Sequence, residues 1–291
     1  MAHYAELIER TEAEGWAERH LAVSPEFQTR FGTSVRRYGS AVALVTRHAD
    51  IPALNRVFAL GLKEPLTVDT LDRIVADFRE AGVRRIVVHW SPMSVPSEAP
   101  AWLTERGFHA LRRMAMLLRR TECAPTPPTA LGIVEVDDSA AEVYEQIVAP
   151  GNGLPVDFAP HVRSTLGDTA WRHYLAFDGE RPVAGAALFA RGNVAWCAGS
   201  ATLPSDQRRG AQSALLARRV RDAALMGCEW IVAETLEETE TEGNPSYRNM
   251  RRVGFDLAYL RASYLLTLGA NPGDATSPRL RIVRPRNRRQ S

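Results

Sequence analysis

Apolar and polar positions of the second half of the chain follow two periods. Apolar runs and alternations predict strands over residues 172–178, 182–191, 193–203, 230–235 and 259–266, with hairpin turns at Asp178-Gly179 and Gly192-Asn193. A period of three to four residues predicts helices over residues 139–148, 161–166 and 212–226. A further short helix is predicted just before Gly254-Phe255. From residue 172 onward the predicted order is strand, strand, strand, helix, strand, helix, strand.

The first half of the chain carries a weaker copy of this pattern. Gly82–Trp90 matches Gly227–Thr235, because in each segment a glycine suited to a helix C-cap precedes a short apolar strand. Further on, Gly107-Phe108 matches Gly254-Phe255. A repeat of this size indicates a duplicated domain. A proline-rich linker at residues 121–130 separates the copies, so we predict domains at 1–120 and 131–270. The remaining residues, 271–291, hold six arginines without apolar periodicity and predict a basic, disordered tail.

A basic turn with one glycine leads from predicted strand 193–203 into predicted helix 212–226. The first amides of a helix lack partners, and the helix dipole favours an anion there. Arg208 and Arg209 add charge-assisted donors suited to phosphate. The Lys-Ser/Thr of a P-loop and the three glycines of a dinucleotide-binding turn are both missing. The turn therefore predicts a pyrophosphate site, with a solvated basic helix start as the alternative.

Two segments resemble signatures of the GNAT N-acetyltransferase superfamily. Gln207, Arg209 and Gly210 fit its acyl-CoA loop, Gln/Arg-x-x-Gly-x-Gly/Ala, whereas Gln212 departs from it. The segment Asn244–Asn249 fits the second signature, Asn-x-Ser-x-Arg-Asn, before a helix that ends in Gly-Phe. The resemblance covers residues 130–270 well and 35–120 weakly. It implies an α+β fold of two tandem GNAT-like domains, each a mixed, mostly antiparallel twisted sheet flanked by helices.

The resemblance also implies an activity, acyl transfer from acetyl-CoA to a primary amine by direct attack in a ternary complex, without a metal. The main alternative is a non-catalytic acyl-CoA-binding or regulatory module. The implied coenzyme-binding residues lie on the strand before the loop, in the loop, and in the second signature: Ala201, Thr202, Leu203, Gln207, Arg208, Arg209, Gly210, Ala211, Gln212, Ser213, Asn244, Ser246 and Asn249.

Two residues are candidates for proton transfer. Glu234 ends the strand beside the coenzyme and is the candidate general base, with a solvated strand-end carboxylate as the alternative. Met250 occupies the position where the family usually has the tyrosine that protonates the leaving thiolate. We therefore name Tyr247, in the same segment, as the candidate acid. His161 and His173 are expected to be surface or loop residues, and Cys197 to pack as a small hydrophobe.

The first half lacks the basic turn. Its corresponding segment carries Glu64, Asp69 and Asp72, which would repel a phosphate, and Pro65, which removes an amide donor. We therefore expect the first half to be a degenerate copy that binds no coenzyme and instead walls the acceptor cleft or stabilises its neighbour.

Composition limits the remaining classes. Three scattered cysteines fit neither a disulfide framework nor a zinc site, and no apolar run is long enough to span a membrane. No signal peptide is recognised, so a cytoplasmic protein is expected. A net charge of +2 argues against nucleic-acid binding, which stays an alternative only because of clustered arginines. The expected partner is a small-molecule amine, with a homodimer left open.

Overall fold

The computed structural model describes residues 2–126 and 129–269. In these residues the chain forms eight α-helices: α1 (Ala2–Leu21), α2 (Pro25–Phe31), α3 (Val68–Glu80), α4 (Ala99–Glu105), α5 (Ala141–Gly151), α6 (Ala159–Arg163), α7 (Ala211–Leu225) and α8 (Pro245–Arg252). Short 3₁₀ turns occur at Pro52–Leu54, Asp138–Ala140, Val156–Phe158 and Pro204–Asp206.

The same residues contribute thirteen strands: β1 (Thr33–Tyr38), β2 (Ala41–Thr46), β3 (Arg56–Phe58), β4 (Arg85–Trp90), β5 (His109–Ala110), β6 (Met114–Arg120), β7 (Gly132–Glu135), β8 (Trp171–Asp178), β9 (Arg181–Arg191), β10 (Val194–Trp196), β11 (Ser200–Thr202), β12 (Trp230–Leu236) and β13 (Asp256–Thr267). The strands predicted for the second half are confirmed within a few residues, except that predicted strand 193–203 is divided into β10 and β11. The predicted helices are confirmed as α5, α6, α7 and α8. The tail at 271–291 and linker residues 127–128 lie outside the described residues.

All the described strands belong to one continuous mixed sheet. Its order is β1-β2-β3-β4-β13-β6-β12-β10-β9-β8-β7, with β11 on β9 and β5 on β13. Neighbouring strands are antiparallel except for β3–β4 and β10–β12, which are parallel. Helices α3, α4, α7 and α8 pack on one face and α1, α2, α5 and α6 on the other. This confirms the predicted α+β class.

The two halves exchange their last strands. Strand β6, from the first half, pairs with β12 of the second half, and β13, from the second half, pairs with β4 of the first. The two exchanged strands also pair with each other. The predicted boundary at residue 120 follows the chain, but the sheet crosses it, and the boundaries remain predictions. The exchange places strand β12 next to a strand that the first half supplies.

Helix α1 packs across both halves on one face of the sheet. Its small residues Ala13 and Ala17 lie against Phe58 of β3, whereas Ala5 and Ile8 lie against second-half residues such as Trp196. Alanine at these positions lets the helix approach the strands closely. Residues of α1 therefore reach the surroundings of β10 and β12, although they lie at the opposite end of the chain.

Candidate functional site

A cleft opens where strands β11 and β12 diverge. Strand β10 runs parallel to β12 as far as a hydrogen bond from the Cys197 amide to the Val232 carbonyl (2.8 Å). Beyond this hydrogen bond the strand is interrupted at Gly199, whose φ of +33° suits glycine. Strand β11, which follows, pairs only with β9. Residues 233–236 of β12 pair with β6 on their other side. The facing edges of β11 and β12 are thus left without a partner strand among the described residues, and predicted residues Ala201, Thr202 and Leu203 lie along one of them.

The basic turn lies at the start of α7, next to this cleft. Gly210 is the N-cap residue, with φ +86°, and no side chain caps the helix. In the described part of the chain, the backbone amides of residues 208–213 find no acceptor. Arg208, Gly210 and Ser213 are exposed or half-buried, so their amides remain available to an anion. Arg208 itself has a φ of +65°, and its exposed guanidinium makes no ion pair with any described residue.

The second arginine of the turn is already engaged. Arg209 Nη1 lies 2.8 Å from a carboxylate oxygen of Asp178 and 3.0 Å from one of Asp206. Arg181 also bonds Asp206, and these arginine contacts, with that of Ser205, hold the pKa of the Asp206 carboxyl far below its usual range. Arg209 therefore fastens the turn to the β8–β9 hairpin. Of the two predicted phosphate-binding arginines, only Arg208 has a side chain that is free of such contacts.

Side chains from the two signature segments meet in one hydrogen-bonded network. Gln212, in the first turn of α7, donates from Nε2 to Ser246 Oγ (2.6 Å) and accepts from Asn249 Nδ2 (2.7 Å). Ser246 and Asn249 both belong to α8. The departure from the family pattern at Gln212 therefore joins the starts of the two helices.

Asn244 caps α8. Its Oδ1 accepts from the amides of Ser246 (2.9 Å) and Tyr247 (3.3 Å), and its Nδ2 donates to Thr235 Oγ1 (3.0 Å) and to the Leu236 carbonyl. An asparagine amide offers two donors and two acceptor positions. All four are used within the protein, so the structure gives Asn244 a capping role and leaves its side chain no position for a coenzyme.

Glu234 lies half-buried on β12, beside the divergence. Its Oε2 accepts a hydrogen bond from Trp196 Nε1 (2.6 Å). Desolvation is the main cause that raises the pKa of its carboxyl to about 8, and the negative charge of Glu12 adds to the rise. The bond from Trp196 and the charges of Arg261 and Arg56 act in the opposite direction. A carboxyl that titrates near neutral pH is suited to accepting a proton from an amine.

A buried ionic cluster lies behind Glu234. Arg261 of β13 binds Glu12 of α1 through both terminal nitrogens, at 2.5 and 3.1 Å, and Glu9 at 3.0 Å. Tyr259 donates to the other oxygen of Glu9 (2.9 Å). All four side chains are buried. The cluster joins the first helix to the last strand, and the charges of Glu12 and Arg261 modify, in opposite directions, the pKa of Glu234 that desolvation raises.

Sequence reasoning missed this cluster. Glu9 and Glu12 are three residues apart in a helix, and so share a face with buried Ala5 and Ile8. Acidic residues on an apolar helix face were the available signal. The arginine that satisfies them lies at the other end of the chain, where no local pattern could indicate it.

Tyr247 and Met250 both lie on α8. Met250 is buried in the core beside Phe255, so the position of the family's tyrosine is occupied here by a packing residue. Tyr247 is half-buried against the same core, and its hydroxyl makes no hydrogen bond to any described residue. Tyr247 therefore retains a hydroxyl that a leaving group could use.

In the first half the backbone groups at the corresponding position are bonded by the chain itself. Beyond β4, the segment 91–96 turns back between the diverging strands. Ser94 Oγ donates to the Leu60 carbonyl (2.7 Å), the Val95 amide donates to the Gly61 carbonyl (2.7 Å), and the Val95 carbonyl accepts from the Leu66 amide (2.9 Å). These are the backbone groups that correspond to the free edge of β11.

The start of α3 also differs from that of α7. Thr67 caps the helix by accepting from the Thr70 amide (3.1 Å). Glu64, in the preceding loop, accepts from the amide and hydroxyl of Ser40, and the hydroxyl bond is the main cause that lowers the pKa of its carboxyl. An anionic carboxylate and a capped helix replace the cationic, uncapped start of α7.

The prediction for Cys197 is confirmed, whereas the prediction for the two histidines is not. Cys197 is buried in the core, as predicted. The expectation that His161 and His173 are surface or loop residues is wrong, because both are buried. His161 packs against His20 and Phe27, and burial holds its pKa well below the usual value. His173 lies 3.2 Å from Thr165 Oγ1, and burial lowers its pKa to about 3. Both are neutral core residues. The apolar residues around each histidine are buried, and a single polar side chain among them is buried with them.

Two kinds of feature are absent from residues 2–126 and 129–269. No group of three or more histidine, cysteine, aspartate or glutamate residues is arranged there to hold a metal ion. None of the helices in that part of the chain is both long and apolar enough to cross a membrane.

Several solved structures resemble this one along most of its length. A GCN5-related N-acetyltransferase from Kribbella flavida aligns with a TM-score of 0.60 and 18% identity, over 87% of this chain and 96% of that one. One from Sphaerobacter thermophilus aligns with a TM-score of 0.57 and 14% identity, over 78% and 80%. A tandem GNAT protein from the clavulanic acid biosynthesis pathway aligns with a TM-score of 0.53 and 14% identity, over 90% and 96%.

Comparison of the sequence with protein-family models and with curated proteins finds no match. Identities this low establish a fold and leave the activity to be argued from the site. The element order, the diverging strands and these structural relatives agree with one another. The chain has the α+β fold of the GNAT N-acetyltransferases, with two GNAT-like units in tandem.

Proposed function

We propose that the protein is an acyl-CoA-dependent N-acyltransferase that uses acetyl-CoA and a primary amine. The observation that carries the proposal is the cleft between β11 and β12, which leads at one end to the uncapped start of α7 and at the other to a half-buried carboxyl of raised pKa. This combination provides an anion site, a free strand edge and a base along the same cleft. The second half is the active unit.

The residues that would hold acetyl-CoA fit it in two ways. The free amides of residues 208–213 and the Arg208 guanidinium suit a pyrophosphate. The unpaired edge formed by Ala201, Thr202 and Leu203 suits the amides of the pantetheine arm. The thioester, when bound, supplies an activated acyl group, so no metal is needed in the proposed reaction.

In the proposed reaction Glu234 accepts a proton from the attacking amine, directly or through water. An alkyl amine of pKa ~10 needs ~4 kcal/mol to lose its proton at pH 7, so the positioned base matters. The Gly199 amide makes no hydrogen bond to any described residue and is the candidate donor to the oxygen on which negative charge develops. Tyr247 is the candidate donor of a proton to the departing thiolate.

The first half is proposed to bind no coenzyme. Segment 91–96 uses the backbone groups that a pantetheine arm would need, and Glu64 stands where a phosphate would approach. The contribution of this half is instead structural, because it supplies β6 beside β12 and the α1 carboxylates behind Glu234.

One observation favours a second candidate, a non-catalytic acyl-CoA-binding or regulatory module. Buried Met250 cannot donate a proton, so the standard acid of the family is missing. The two candidates differ in turnover, since both bind acetyl-CoA but only the enzyme releases CoA.

The test has two stages. Calorimetric titration with acetyl-CoA measures whether the cleft binds the coenzyme at all. A panel of primary amines is then screened by thiol detection of released CoA. Binding together with amine-dependent CoA release supports the enzyme, binding without release by any amine supports the module, and absence of binding contradicts both.

A further inference from the structure

Three arginines of the described chain are almost completely buried, and they differ in the hydrogen-bond acceptors that surround them. Arg261 (0% exposed) has the carboxylates of Glu9 and Glu12. Arg219 (1% exposed) donates to the carbonyls of Leu215 and Ala187 at 3.1 and 3.2 Å. Arg19 (3% exposed) has no acceptor among the described residues for any of its side-chain nitrogens, and its Nε and Nη2 are wholly enclosed. Burial of an unpaired charge is costly, so this exception requires an explanation.

Arg19 lies at the head of the proposed coenzyme cleft. Its Nη1 is 3.6 Å from the position that a Cβ on Gly199 would occupy, where β10 gives way to β11. Its guanidinium carbon lies 4.5 Å from the centre of the Trp171 ring, which packs against Trp196 at 6.3 Å. Trp196 in turn donates to Glu234. Arg19 and the candidate base therefore border one aromatic group on the same face of the sheet.

The surroundings of Arg19 hold a second unsatisfied polar group and no compensating carboxylate. The buried hydroxyl of Tyr144 has no hydrogen-bond partner in the described part of the chain, and Arg19 acts on it electrostatically. The carboxylate that acts on Arg19 electrostatically is that of Glu234, which is bonded instead to Trp196. Of the Arg19 side-chain nitrogens only Nη1, which faces Gly199, is not wholly enclosed, so Nη1 is the donor that a ligand can reach.

We infer that the acceptor is an amine that also carries a carboxylate, as amino acids do, and that Arg19 binds that carboxylate. This inference rests on the proposed function, because it names the substrate class of the same site. A carboxylate accepts a charge-assisted hydrogen bond from Nη1 and carries the one negative charge that Arg19 needs. Binding it near Gly199 holds the amine of the same molecule beside Glu234 and the acyl group.

The test uses amine pairs that differ only by a carboxylate: phenylalanine and phenethylamine, leucine and isoamylamine, lysine and cadaverine, 4-aminobutyrate and propylamine. CoA release with acetyl-CoA is measured for the wild type and for Arg19→Met. For the best pair we expect kcat/KM of the carboxylated member to be higher by at least about tenfold. Arg19→Met should abolish this preference, mainly by raising KM, while the neutral member changes by less than about threefold.

The matched control is Arg10→Met, an exposed arginine on the same helix, which should leave the preference intact. Arg19→Lys should restore part of it. Since Arg19→Met removes an unpaired buried charge, its melting temperature should equal or exceed that of the wild type. A lower melting temperature, with equal losses for both members of each pair, would show a purely structural arginine and overturn the inference.

Other outcomes also test the inference. Faster turnover of the neutral members overturns the inference but leaves the proposed function standing. An Arg19-dependent preference for succinyl-CoA over acetyl-CoA, without a preference between the members of any amine pair, assigns the carboxylate to the acyl group and overturns the acceptor class. If no CoA is released, the same pairs are titrated into the complex with CoA, and equal binding of both members overturns the inference. Failure of acetyl-CoA itself to bind contradicts the proposed function.

Discussion

Substitution of Glu234 by glutamine tests the proposed base because the structure predicts opposite effects on rate and stability. Glutamine keeps the shape and can still accept the bond from Trp196, but it cannot take a proton. Turnover should therefore fall by ~10²–10⁴-fold. Affinity for acetyl-CoA should change little, because the carboxyl lies away from the turn at residues 208–213. The loss should shrink only well above pH 8, where the wild-type carboxyl is already fully ionised and free amine is abundant.

The pH dependence follows from the raised pKa. With a pKa of about 8, only about one-tenth of the Glu234 carboxyl is ionised at pH 7. Wild-type turnover should therefore rise through pH 8, and this limb should be missing in Glu234→Gln. The matched control is Glu229→Gln, an exposed glutamate directly before β12, which should leave the profile unchanged.

The free energy of unfolding of Glu234→Gln should change in the opposite direction to its rate, and should exceed that of the wild type at high pH. The folded state favours the neutral carboxyl, whereas the unfolded chain ionises it near its ordinary pKa of 4.5. Its contribution to stability is therefore fully present below pH 4.5 and is lost as the pH rises to about 8, at ~1.4 kcal/mol per pH unit in the limit of complete burial. Because the side chain is only half-buried, we expect Glu234→Gln to be more stable than the wild type at pH 9 by about 2–3 kcal/mol, and equal to it at pH 4.

Denaturant unfolding at pH 4, 7 and 9 measures the stability difference, and thiol detection across pH 6–9 measures the rate, once an acceptor is known. Normal turnover of Glu234→Gln across that range would place the base elsewhere. A variant that loses activity without gaining stability at pH 9 would show that the raised pKa is not the property that matters.

Three other predictions concern the coenzyme turn, the first half and the ionic cluster. Arg208→Ala should weaken acetyl-CoA binding tenfold to a hundredfold in calorimetry, since a charge-assisted hydrogen bond contributes ~1.5–3 kcal/mol, and an unchanged affinity would remove Arg208 from the site. The same titration on the wild type should give one coenzyme per chain, because segment 91–96 already bonds the backbone groups that a coenzyme would need in the first half, and a stoichiometry of two would contradict this. Arg261→Met should lower the free energy of unfolding by about 3–5 kcal/mol in denaturant, because it leaves Glu9 and Glu12 buried without their partner, whereas a loss below 1 kcal/mol would mean that the cluster is solvated.

The sequence predicted the local elements of the second half well because their signals are local. Asp178-Gly179 and Gly192-Asn193 mark the hairpins, and the apolar stripe containing Leu216 and Val220 marks α7. It also placed Gln212, Ser246 and Asn249 in one region, which their hydrogen bonds show. The division of strand 193–203 was missed, since the interruption at Gly199 depends on how β9 pairs with it.

What sequence reasoning missed depends on contacts between distant residues. No periodicity indicates that Arg209 is held by Asp178, or that Asn244 uses all its hydrogen bonds to join β12 to α8. The unpaired state of Arg19 is likewise invisible in the chain, because an arginine in an amphipathic helix normally reaches solvent. The exchange of strands between the halves belongs to the same class of long-range information.

That exchange has a consequence for how the chain is made. Synthesis delivers β4 long before β13, the strand that pairs with it through residues such as Val88 and Tyr264. Until then the apolar strand β4 has an open edge, which is a template for pairing with other chains. A nascent first half should therefore be prone to aggregation or dependent on chaperones, and should become protected only after residue 267 has left the ribosome. The strand that completes the first half's part of the sheet is the last strand of the described chain to be synthesised.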